Sequence, residues 1–191
     1  CKQPIIFKAT PQWFFGVEDL KGKMLEANKQ ISWHPQTAKH SFDSWLQNLR
    51  DNSITKQRFW GTPLPVWRCA KCKKYDVFGS IKELKQQAKR IPKSIHKPWI
   101  DKVTYPCSCG GTRKRIPDVL DVWIDAGCAS WNCLYYPQKT DLFKQWYPAS
   151  FILEGKDQIR GWFNLLLVAS FLAFERPSLE KVYMHGFVPD I

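Results

Sequence analysis

The sequence predicts an α/β protein in which a short apolar strand leads almost directly into a long apolar helix. Phe151–Leu153 is a continuous apolar run, as expected of a strand covered on both faces. Trp162–Phe174 is longer, and only Asn164 and Ser170 interrupt it, so we expect a helix buried on nearly all sides. Because this run is well short of the roughly 20 residues that a membrane span needs, no membrane partner is expected.

The first half of the chain is predicted to contain a strand, two helices and an extended segment. Pro4–Phe7 is a short apolar run with two β-branched residues, which favours a strand. Apolar residues at helical spacing predict a first helix over Val17–Ile31 and a second over Thr37–Leu49. Thr62–Pro65 contains two prolines and is expected to be extended.

The second half alternates helices and strands. Ile81–Arg90 and Thr140–Trp146 have the spacing of helices, and the second of them is amphipathic. Asp118–Trp123 mixes acidic and apolar residues, a pattern that fits either a strand or a short helical turn. Lys181–Met184 is predicted to be the last strand.

Composition indicates a folded, basic protein. The 191 residues are 44% hydrophobic, enough for one domain with a core or a core with a small insertion. The net charge of +12 favours an anionic partner such as nucleic acid, although a solvated basic face would give the same count. The basic residues concentrate in Arg68–Lys74 and Lys82–Lys97. The chain begins without methionine, so we expect a piece of a longer protein.

The seven cysteines favour metal binding over disulfides, because several are closely paired and their number is odd. This usage suits a reducing compartment and predicts a cytoplasmic protein. Cys69 and Cys72 are separated by 34 residues from Cys107 and Cys109, and two such pairs suit a tetrahedral zinc ribbon. We expect the β-prone runs flanking these pairs to pair with each other, Tyr75–Phe78 with Val103–Tyr105. Four thiolates leave no open position, so this Zn²⁺ would be structural. Four free buried thiols are the alternative.

Polar residues follow the predicted strand where the long helix is about to begin. Glu154 stands at the carboxyl end of the strand, and Asp157 stands where a helix favours a side-chain cap. Open α/β sheets bind ligands at such junctions. A buried strand end has little reason to carry this many polar groups unless they satisfy one another or a ligand. An N-cap followed by a solvated loop is the simpler interpretation.

The same junction carries a family motif. Glu-Gly-x-Asp-Gln-x-Arg-Gly-Trp-Phe at 154–163 resembles the adenylate-binding segment of the class I aminoacyl-tRNA synthetases for isoleucine, valine and leucine. Ala-Thr-Pro-Gln-Trp-Phe at 9–14, the segments Asp51–Gly61 and Asp118–Gly127, and His-Gly-Phe-Val at 185–188 resemble that family in the same order. The resemblance covers essentially the whole chain. It fits the isoleucine branch in its archaeal and eukaryotic form best, with the valine branch as the alternative.

The resemblance implies an α/β fold: the second half of a class I synthetase Rossmann-type catalytic core with an inserted zinc-ribbon module. Residues 1–32 would return from an inserted editing domain, and 33–66 would lead back into the catalytic core. Residues 67–115 would form the zinc ribbon, and 116–191 the second half of the Rossmann core.

The resemblance also implies roles for seven residues, none of which acts as a nucleophile. Glu154 would bind the amino acid or the adenylate, and Gly155 would allow close approach of the backbone. Asp157 would hold the ribose hydroxyls, and Gln158 would contact the amino acid end. The isoleucine side chain would lie between two indoles, and a histidine of the last strand would stand beside the site; these three are Trp123, Trp162 and His185.

The implied substrates are ATP with Mg²⁺, isoleucine and the isoleucine tRNA. The His-x-Gly-His and Lys-Met-Ser-Lys-Ser motifs of the family do not occur in these 191 residues, so we expect the segment to be inactive alone. The first Rossmann half, the editing domain and the anticodon-binding domain would be its partners in the same polypeptide. A rival hypothesis is a non-catalytic zinc-ribbon module that binds RNA through its basic residues.

Overall fold

The computed structural model describes residues 3–189, which form two compact units. The first unit comprises residues 3–15 and 53–121, and the second comprises 16–52 and 122–189. Two residues at each end of the chain, within the predicted segments 1–32 and 116–191, lie outside the described range.

The described residues form seven α-helices, eleven strands and three 3₁₀ turns, most of them short. The helices are α1 (Lys21–Asn28), α2 (Gln36–Gln47), α3 (Ile81–Gln87), α4 (Val122–Gly127), α5 (Ala129–Asn132), α6 (Thr140–Trp146) and α7 (Trp162–Phe174). The strands are β1 (Phe14–Phe15), β2 (Ser32–His34), β3 (Asn52–Ser53), β4 (Thr55–Lys56), β5 (Val66–Cys69), β6 (Tyr75–Val77), β7 (Thr104–Pro106), β8 (Thr112–Arg115), β9 (Val119–Leu120), β10 (Ile152–Gly155) and β11 (Lys181–His185). Single 3₁₀ turns occupy Glu18–Leu20, Ile100–Lys102 and Lys156–Ile159.

The second unit is built on a three-stranded parallel sheet in the order β10-β11-β2. Ile152 of β10 pairs with Val182, and Val182 pairs with Trp33 of β2. Trp33 packs against Phe42 of α2 and Phe163 of α7, with ring centroids 5.1 and 5.6 Å apart. Both helices therefore cover the same face of the sheet, and the carboxyl ends of the strands meet at one edge.

Helix α7 is the buried centre of the second unit. All nine residues from Phe163 to Phe171 are buried, which confirms the prediction of a helix covered on nearly all sides. The hydroxyl of Ser170 is accommodated by hydrogen bonds with Tyr147 and with the carbonyl of Arg176. Among the described residues, no helix has the length and apolar character needed to cross a membrane.

The first unit contains a four-stranded antiparallel sheet in the order β6-β5-β8-β7. Hairpins β5-β6 and β7-β8 each turn at a cysteine pair, and β5 pairs with β8 to join them. One face of the sheet is covered by a core that includes Trp67, Leu84, Ile100 and Tyr105. The indole of Trp67 also donates to the carbonyl of Val103 at 2.8 Å, which fixes its orientation inside that core.

Most predicted elements are confirmed. Helices α6 and α7 have the predicted bounds, α2 begins one residue early, and α3 ends at Gln87 because Ala88 is extended. The helix predicted over Val17–Ile31 is present as a 3₁₀ turn followed by the shorter α1. Both alternatives for Asp118–Trp123 occur, since β9 is followed at once by the start of α4.

Three structural predictions are wrong. The strand predicted over Phe151–Leu153 is present as β10, but it is not covered on both faces, since Phe151 and Leu153 are 58% and 52% exposed. Pro4–Phe7 does not form a strand, and its apolar side chains are exposed, Ile5 at 98%. A strand needs a hydrogen-bonded neighbour, and in the described chain this run has none. The runs expected to pair with each other, which contain β6 and β7, lie instead at opposite edges of their sheet, because each pairs with its own hairpin partner.

Candidate active site and metal centre

The carboxyl ends of β10 and β11 bring three of the predicted site residues together. Gly155 pairs in register with His185. A Cβ at Gly155 would lie 2.6 Å from Oδ1 of Asp157 and 3.3 Å from Cε1 of His185. Because those distances leave no room for a side chain, glycine lets the Asp157 carboxylate and the His185 ring stand against the strand end. His185 Nδ1 lies 2.6 Å from the carbonyl of Gly186, which fixes the ring.

The predicted cap on α7 is supplied by a different residue. Gln158, not Asp157, reaches the start of the helix, where its Oε1 accepts the backbone N–H of Trp162 at 2.9 Å. The Gln158 Nε2 donates to Asp157 Oδ2 at 2.8 Å. The 3₁₀ turn over Lys156–Ile159 separates the strand from the helix and displaces Asp157 from the capping position. The prediction of an Asp157 cap is therefore wrong, and the exposed carboxylate is oriented by Gln158.

Glu154 is exposed at the end of β10. Its Oε2 accepts the backbone N–H of Gly155 at 3.1 Å, so the carboxylate folds back over the strand end. Glu154 and Asp157 thus place two exposed carboxylates within four residues of each other, on either side of the buried Gly155. Such groups suit binding of amines or hydroxyls, to which ionised carboxylates act as acceptors.

Trp123 and Trp162, the two indoles expected to enclose the isoleucine side chain, both lie near the start of α7. Trp162 donates its indole N–H to the carbonyl of Ala126 in α4 at 2.9 Å. Trp123, on the same helix α4, is 42% exposed, and its Cη2 would lie 3.3 Å from a Cβ at Gly161. The indole of Trp123 therefore lies against Gly161, the residue that precedes Trp162. Both indole rings are rigid and apolar, and Trp162 is held by its hydrogen bond.

A close contact between backbones fixes the position of α4 on α7. A Cβ at Gly127 would lie 2.7 Å from the carbonyl oxygen of Leu165 and 3.0 Å from its Cβ. Only glycine allows this approach without displacement. The helix that carries Trp123 is thereby seated directly on the helix that begins with Trp162.

A wide cleft of about 980 Å³ opens beside Asp157 in the second unit. Arg160 lies over the ring of Trp45 at 5.7 Å, and Lys156 lies over Phe187 at 4.2 Å. The lining also includes the side chain of His40 from α2. Sequence reasoning missed the α2 side of this cleft, because His40 and Trp45 belong to no motif. The strong amphipathic pattern of α2 was the available signal.

The two cysteine pairs of the first unit converge on one point. Their four sulfur atoms all lie within 4.8 Å of one another. The Sγ atoms of Cys69 and Cys109 are 3.5 Å apart, and those of Cys72 and Cys107 are 3.8 Å apart. A tetrahedral zinc with Zn–S bonds of about 2.3 Å separates its sulfurs by roughly 3.8 Å. The residues present therefore fit a four-thiolate metal ion.

The backbone around the cluster favours thiolates at two positions. The pKa of Cys69 is lowered to about 6, chiefly because the backbone N–H of Cys72 donates to its sulfur. The backbone N–H of Cys109 similarly lowers the pKa of Cys107. At Cys72 the N–H of Lys74 acts in the same direction, but desolvation and the neighbouring sulfurs outweigh it and raise the pKa to about 11. A divalent cation bound between the sulfur atoms would stabilise all four as thiolates.

A network behind the cluster connects it to the core of the first unit. Arg113 donates from Nε to Asp76 at 2.8 Å and from an Nη atom to the carbonyl of Lys74 at 2.8 Å. Asp76 also accepts the hydroxyl of Tyr105 at 2.8 Å. Burial raises the pKa of Tyr105, and its bond to the carboxylate adds to that shift. The turn that carries Lys74 and the strand that carries Arg113 are thus held together independently of any metal.

Comparison with known proteins identifies the family. The model for tRNA synthetases class I (I, L, M and V) matches residues 2–191. The chain belongs to this family. It is 47% identical over 192 aligned residues to the isoleucine-tRNA ligase of Methanocorpusculum labreanum, and equally so to that of Methanosarcina barkeri. In both cases the alignment includes 100% of this chain, which spans only 18% of the length of the relative.

Solved structures of the family share the fold. Methionyl-tRNA synthetase of Mycobacterium tuberculosis, bound by methionyl-adenylate, matches 94% of this chain and 27% of its own with a TM-score of 0.57 at 20% identity. The LeuRS of Agrobacterium radiobacter K84, in a ternary complex with tRNA and LeuAMS, matches 75% of this chain and 20% of its own with a TM-score of 0.54 at 22% identity. The expectation of a mixed α/β fold like that of class I synthetases is confirmed.

Proposed function

We propose that the protein to which this chain belongs is an isoleucine-tRNA ligase. It would condense isoleucine with ATP to isoleucyl-adenylate, release pyrophosphate, and transfer the isoleucyl group to its tRNA. The observation that supports this most is the cluster of Gly155, Asp157 and His185 at the carboxyl edge of a parallel sheet, in a chain 47% identical to isoleucine-tRNA ligases. The chain supplies one part of that enzyme, and other parts of the protein would supply the remaining contacts to the substrates.

The nucleotide side of the proposed site follows from the carboxylates. Asp157 is exposed and oriented by Gln158, so it is suited to accept hydrogen bonds from the ribose hydroxyls of ATP. Gly155 lets the Asp157 carboxylate lie against the strand end, where the backbone and the carboxylate would both border the nucleotide. His185, fixed against the carbonyl of Gly186, would border the same position. These groups position ATP and contain no nucleophile, in keeping with a reaction driven by orientation and charge stabilisation.

The amino acid side of the proposed site follows from the indoles. Trp123 and Trp162 would wall the isoleucine side chain, and glycine at position 161 avoids a Cβ that would lie 3.3 Å from Cη2 of Trp123. Glu154 would accept the ammonium group of isoleucine or contact the adenylate, and Gln158 would contact the amino acid end. An apolar wall distinguishes isoleucine from valine by only about 1–3 kcal/mol per methylene. A separate editing step elsewhere in the protein would therefore be needed.

We further propose that one structural Zn²⁺ is held by Cys69, Cys72, Cys107 and Cys109. The ion would cross-link the hairpins β5-β6 and β7-β8. All four protein ligands are thiolates, so the ion would have no open position for substrate. Residues 67–115 would thus be a zinc-ribbon module, and residues 1–32, 33–66 and 116–191 would be parts of the synthetase core and its connections. The proposed compartment is the cytoplasm, where the thiols stay reduced.

The test is isoleucine-dependent exchange of pyrophosphate into ATP by the full-length protein, without tRNA. We expect exchange with isoleucine and about 10- to 200-fold lower specificity for valine. Preference for valine would instead place the protein in the valine branch of the family. Absence of exchange with isoleucine, valine, leucine and methionine would contradict the proposed function and favour a non-catalytic role. We expect the 191-residue segment alone to show none.

A further inference from the structure

The outer face of the four-stranded sheet in the first unit is exposed and carries a row of polar and aromatic side chains. Tyr75 pairs with Arg68, Arg68 pairs with Lys114, and Lys114 pairs with Thr104, so the four are cross-strand neighbours. All four side chains are exposed, whereas neighbours along β5, β7 and β8, such as Trp67, Tyr105 and Arg113, are buried. Antiparallel sheets commonly leave one face to solvent, but this face presents an aromatic ring beside two cations.

The row ends in a cleft of about 420 Å³ whose walls are aromatic and cationic. The guanidinium of Arg68 lies over the ring of Tyr75 at 5.3 Å. Trp13 meets the same ring edge-on at 5.2 Å. Gln57 and Asp118, which also line the cleft, supply amide and carboxylate groups. This volume falls in the range of about 300–1,000 Å³ that is typical of small-ligand pockets.

The surroundings of the cleft are strongly positive. Residues 67–115 contain 14 of the 29 Lys and Arg residues of the chain but only three of its 17 acidic residues. Those three are engaged inside the first unit: Asp76 with Arg113, Asp101 with Arg115, and Glu83 with the start of α3. The lysines on the surface of this segment therefore keep a large uncompensated charge. A polyanion is the partner that such a charge complements.

We propose that this cleft binds an unpaired nucleotide of RNA, with the base stacked on Tyr75 and the adjacent phosphates held by Arg68 and Lys114. The face of an antiparallel sheet is a known platform for bases that stack on exposed aromatic rings. Stacking requires a base that is free of its duplex, and cations beside the ring follow the backbone. Gln57 donates its Nε2 to the carbonyl of Pro11, so its Oε1 and the carboxylate of Asp118, which line the same cleft, would accept hydrogen bonds from the edge of the base.

That the RNA is the tRNA rests on the proposed function. The stacking site itself can be tested without measuring aminoacylation. The probe is a five-nucleotide single-stranded RNA that contains 2-aminopurine, whose fluorescence falls when it stacks. With the full-length protein, Tyr75→Ala is expected to weaken binding about 5- to 150-fold and to abolish the quenching. Tyr75→Phe keeps the ring and should retain both. Arg68→Gln should remove one phosphate contact, which lowers the slope of log affinity against log salt concentration by about 0.7.

A matched control is Tyr135→Ala in the second unit. Tyr135 is also exposed, at 62%, and also has a cation over its ring, Lys139 at 4.9 Å. Its loss should leave RNA binding unchanged. Wild-type affinity and quenching in Tyr75→Ala would overturn the proposal, as would a duplex of the same length that competes as well as the single strand. If Tyr75→Ala proves unfolded, the comparison of Arg68→Gln with the wild-type protein decides.

Pyrophosphate exchange separates this proposal from the proposed function. Tyr75→Ala should retain isoleucine-dependent exchange, because that reaction needs no RNA. A wild-type protein that shows no exchange but quenches the probe through Tyr75 would contradict the ligase and leave the nucleotide site standing. Normal exchange with no effect of Tyr75→Ala on the probe would contradict only the nucleotide site.

Discussion

Gly155 and Asp157 are so close that a Cβ on the glycine would lie 2.6 Å from the carboxylate oxygen Oδ1. The position of the carboxylate thus depends on the absence of a side chain two residues earlier. Asp157 is exposed and is oriented by Gln158, so its displacement does not disturb a buried core. A substitution at Gly155 therefore separates an effect on ligand binding from an effect on folding.

We predict that Gly155→Ala in the full-length protein raises the KM for ATP in pyrophosphate exchange about 10- to 150-fold. The displaced Asp157 would lose hydrogen bonds to a charged group worth about 1.5–3 kcal/mol. Gly186→Ala is the control, since a Cβ there meets nothing within 4 Å. Equal KM values in the two variants would show that Asp157 does not hold the nucleotide.

Trp162 is predicted to act on the amino acid and not on ATP. Trp162→Ala should enlarge the side-chain pocket and raise the KM for isoleucine more than that for smaller or bulkier analogues. Trp162→Phe keeps an aromatic wall but loses the hydrogen bond to Ala126, so it should have a smaller effect. The measurement is pyrophosphate exchange with isoleucine and valine varied separately. A uniform fall in rate with parallel loss of thermal stability would mean that the indole is only a folding element.

We predict one zinc per molecule. Cys72→Ser should release it and increase hydrogen exchange over residues 67–115, because a structural zinc contributes much of the folding free energy of a small module. Metal analysis of carefully reduced protein provides the count. Protein that is folded and free of zinc under these conditions would contradict the assignment.

Gly111→Ala should also weaken zinc retention while leaving all four ligands in place. A Cβ at Gly111 would lie 2.7 Å from Cys69 Sγ and 2.9 Å from the Cβ of Lys71, so the sulfur must move. We expect faster transfer of zinc to a colorimetric chelator. The control is Gly22→Ala in α1, which has open space and should stabilise its helix by about 0.5–1 kcal/mol. Similar transfer rates in both variants would contradict the tight fit.

Cys128 and Cys133 are predicted to differ in reactivity. Burial raises the pKa of Cys128 to about 11, and the nearby Asp125 carboxylate adds to the shift. The thiol therefore stays protonated below that pH, and its labelling by N-ethylmaleimide should rise about tenfold per pH unit between pH 7 and 10. Cys133 is exposed and should be labelled first. Peptide mass spectrometry measures both, and equal rates at pH 7 would show that Cys128 is not shielded.

The parts of the fold that depend on local sequence were predictable. Helix α7 has the predicted bounds because its apolar run ends at residues that cannot remain buried, and each cysteine pair lies at a hairpin turn because its two members are close in sequence. Pairing between distant strands was less predictable. The placement of β6 and β7 at opposite edges depends on β5 pairing with β8, and that choice has no short-range signal.

The residues of the candidate site were named from the sequence, but their contacts were predicted less well. The strand was expected to lead almost directly into the helix. A 3₁₀ turn of four residues separates them, so that Gln158 reaches the start of α7 and Asp157 does not. The contribution of α2 to the nearby cleft could not be predicted from the sequence. Residues such as Trp45 line the cleft because β2, which precedes α2, pairs with β11 in the sheet.

The close approach of Gly127 to the Leu165 carbonyl affects how well the proposed pocket between Trp123 and Trp162 would distinguish side chains by size. A single methylene is worth little, and a wall that yields by a few tenths of an ångström would accept either size of side chain. A contact between two backbones is stiffer than a contact between side chains, because a change of rotamer cannot relax it. The size selectivity of the proposed pocket would then depend on Gly127, a residue that contacts no substrate. We expect a methyl group added at Gly127 to move α4 relative to α7 and so to lower the selectivity of the proposed pocket.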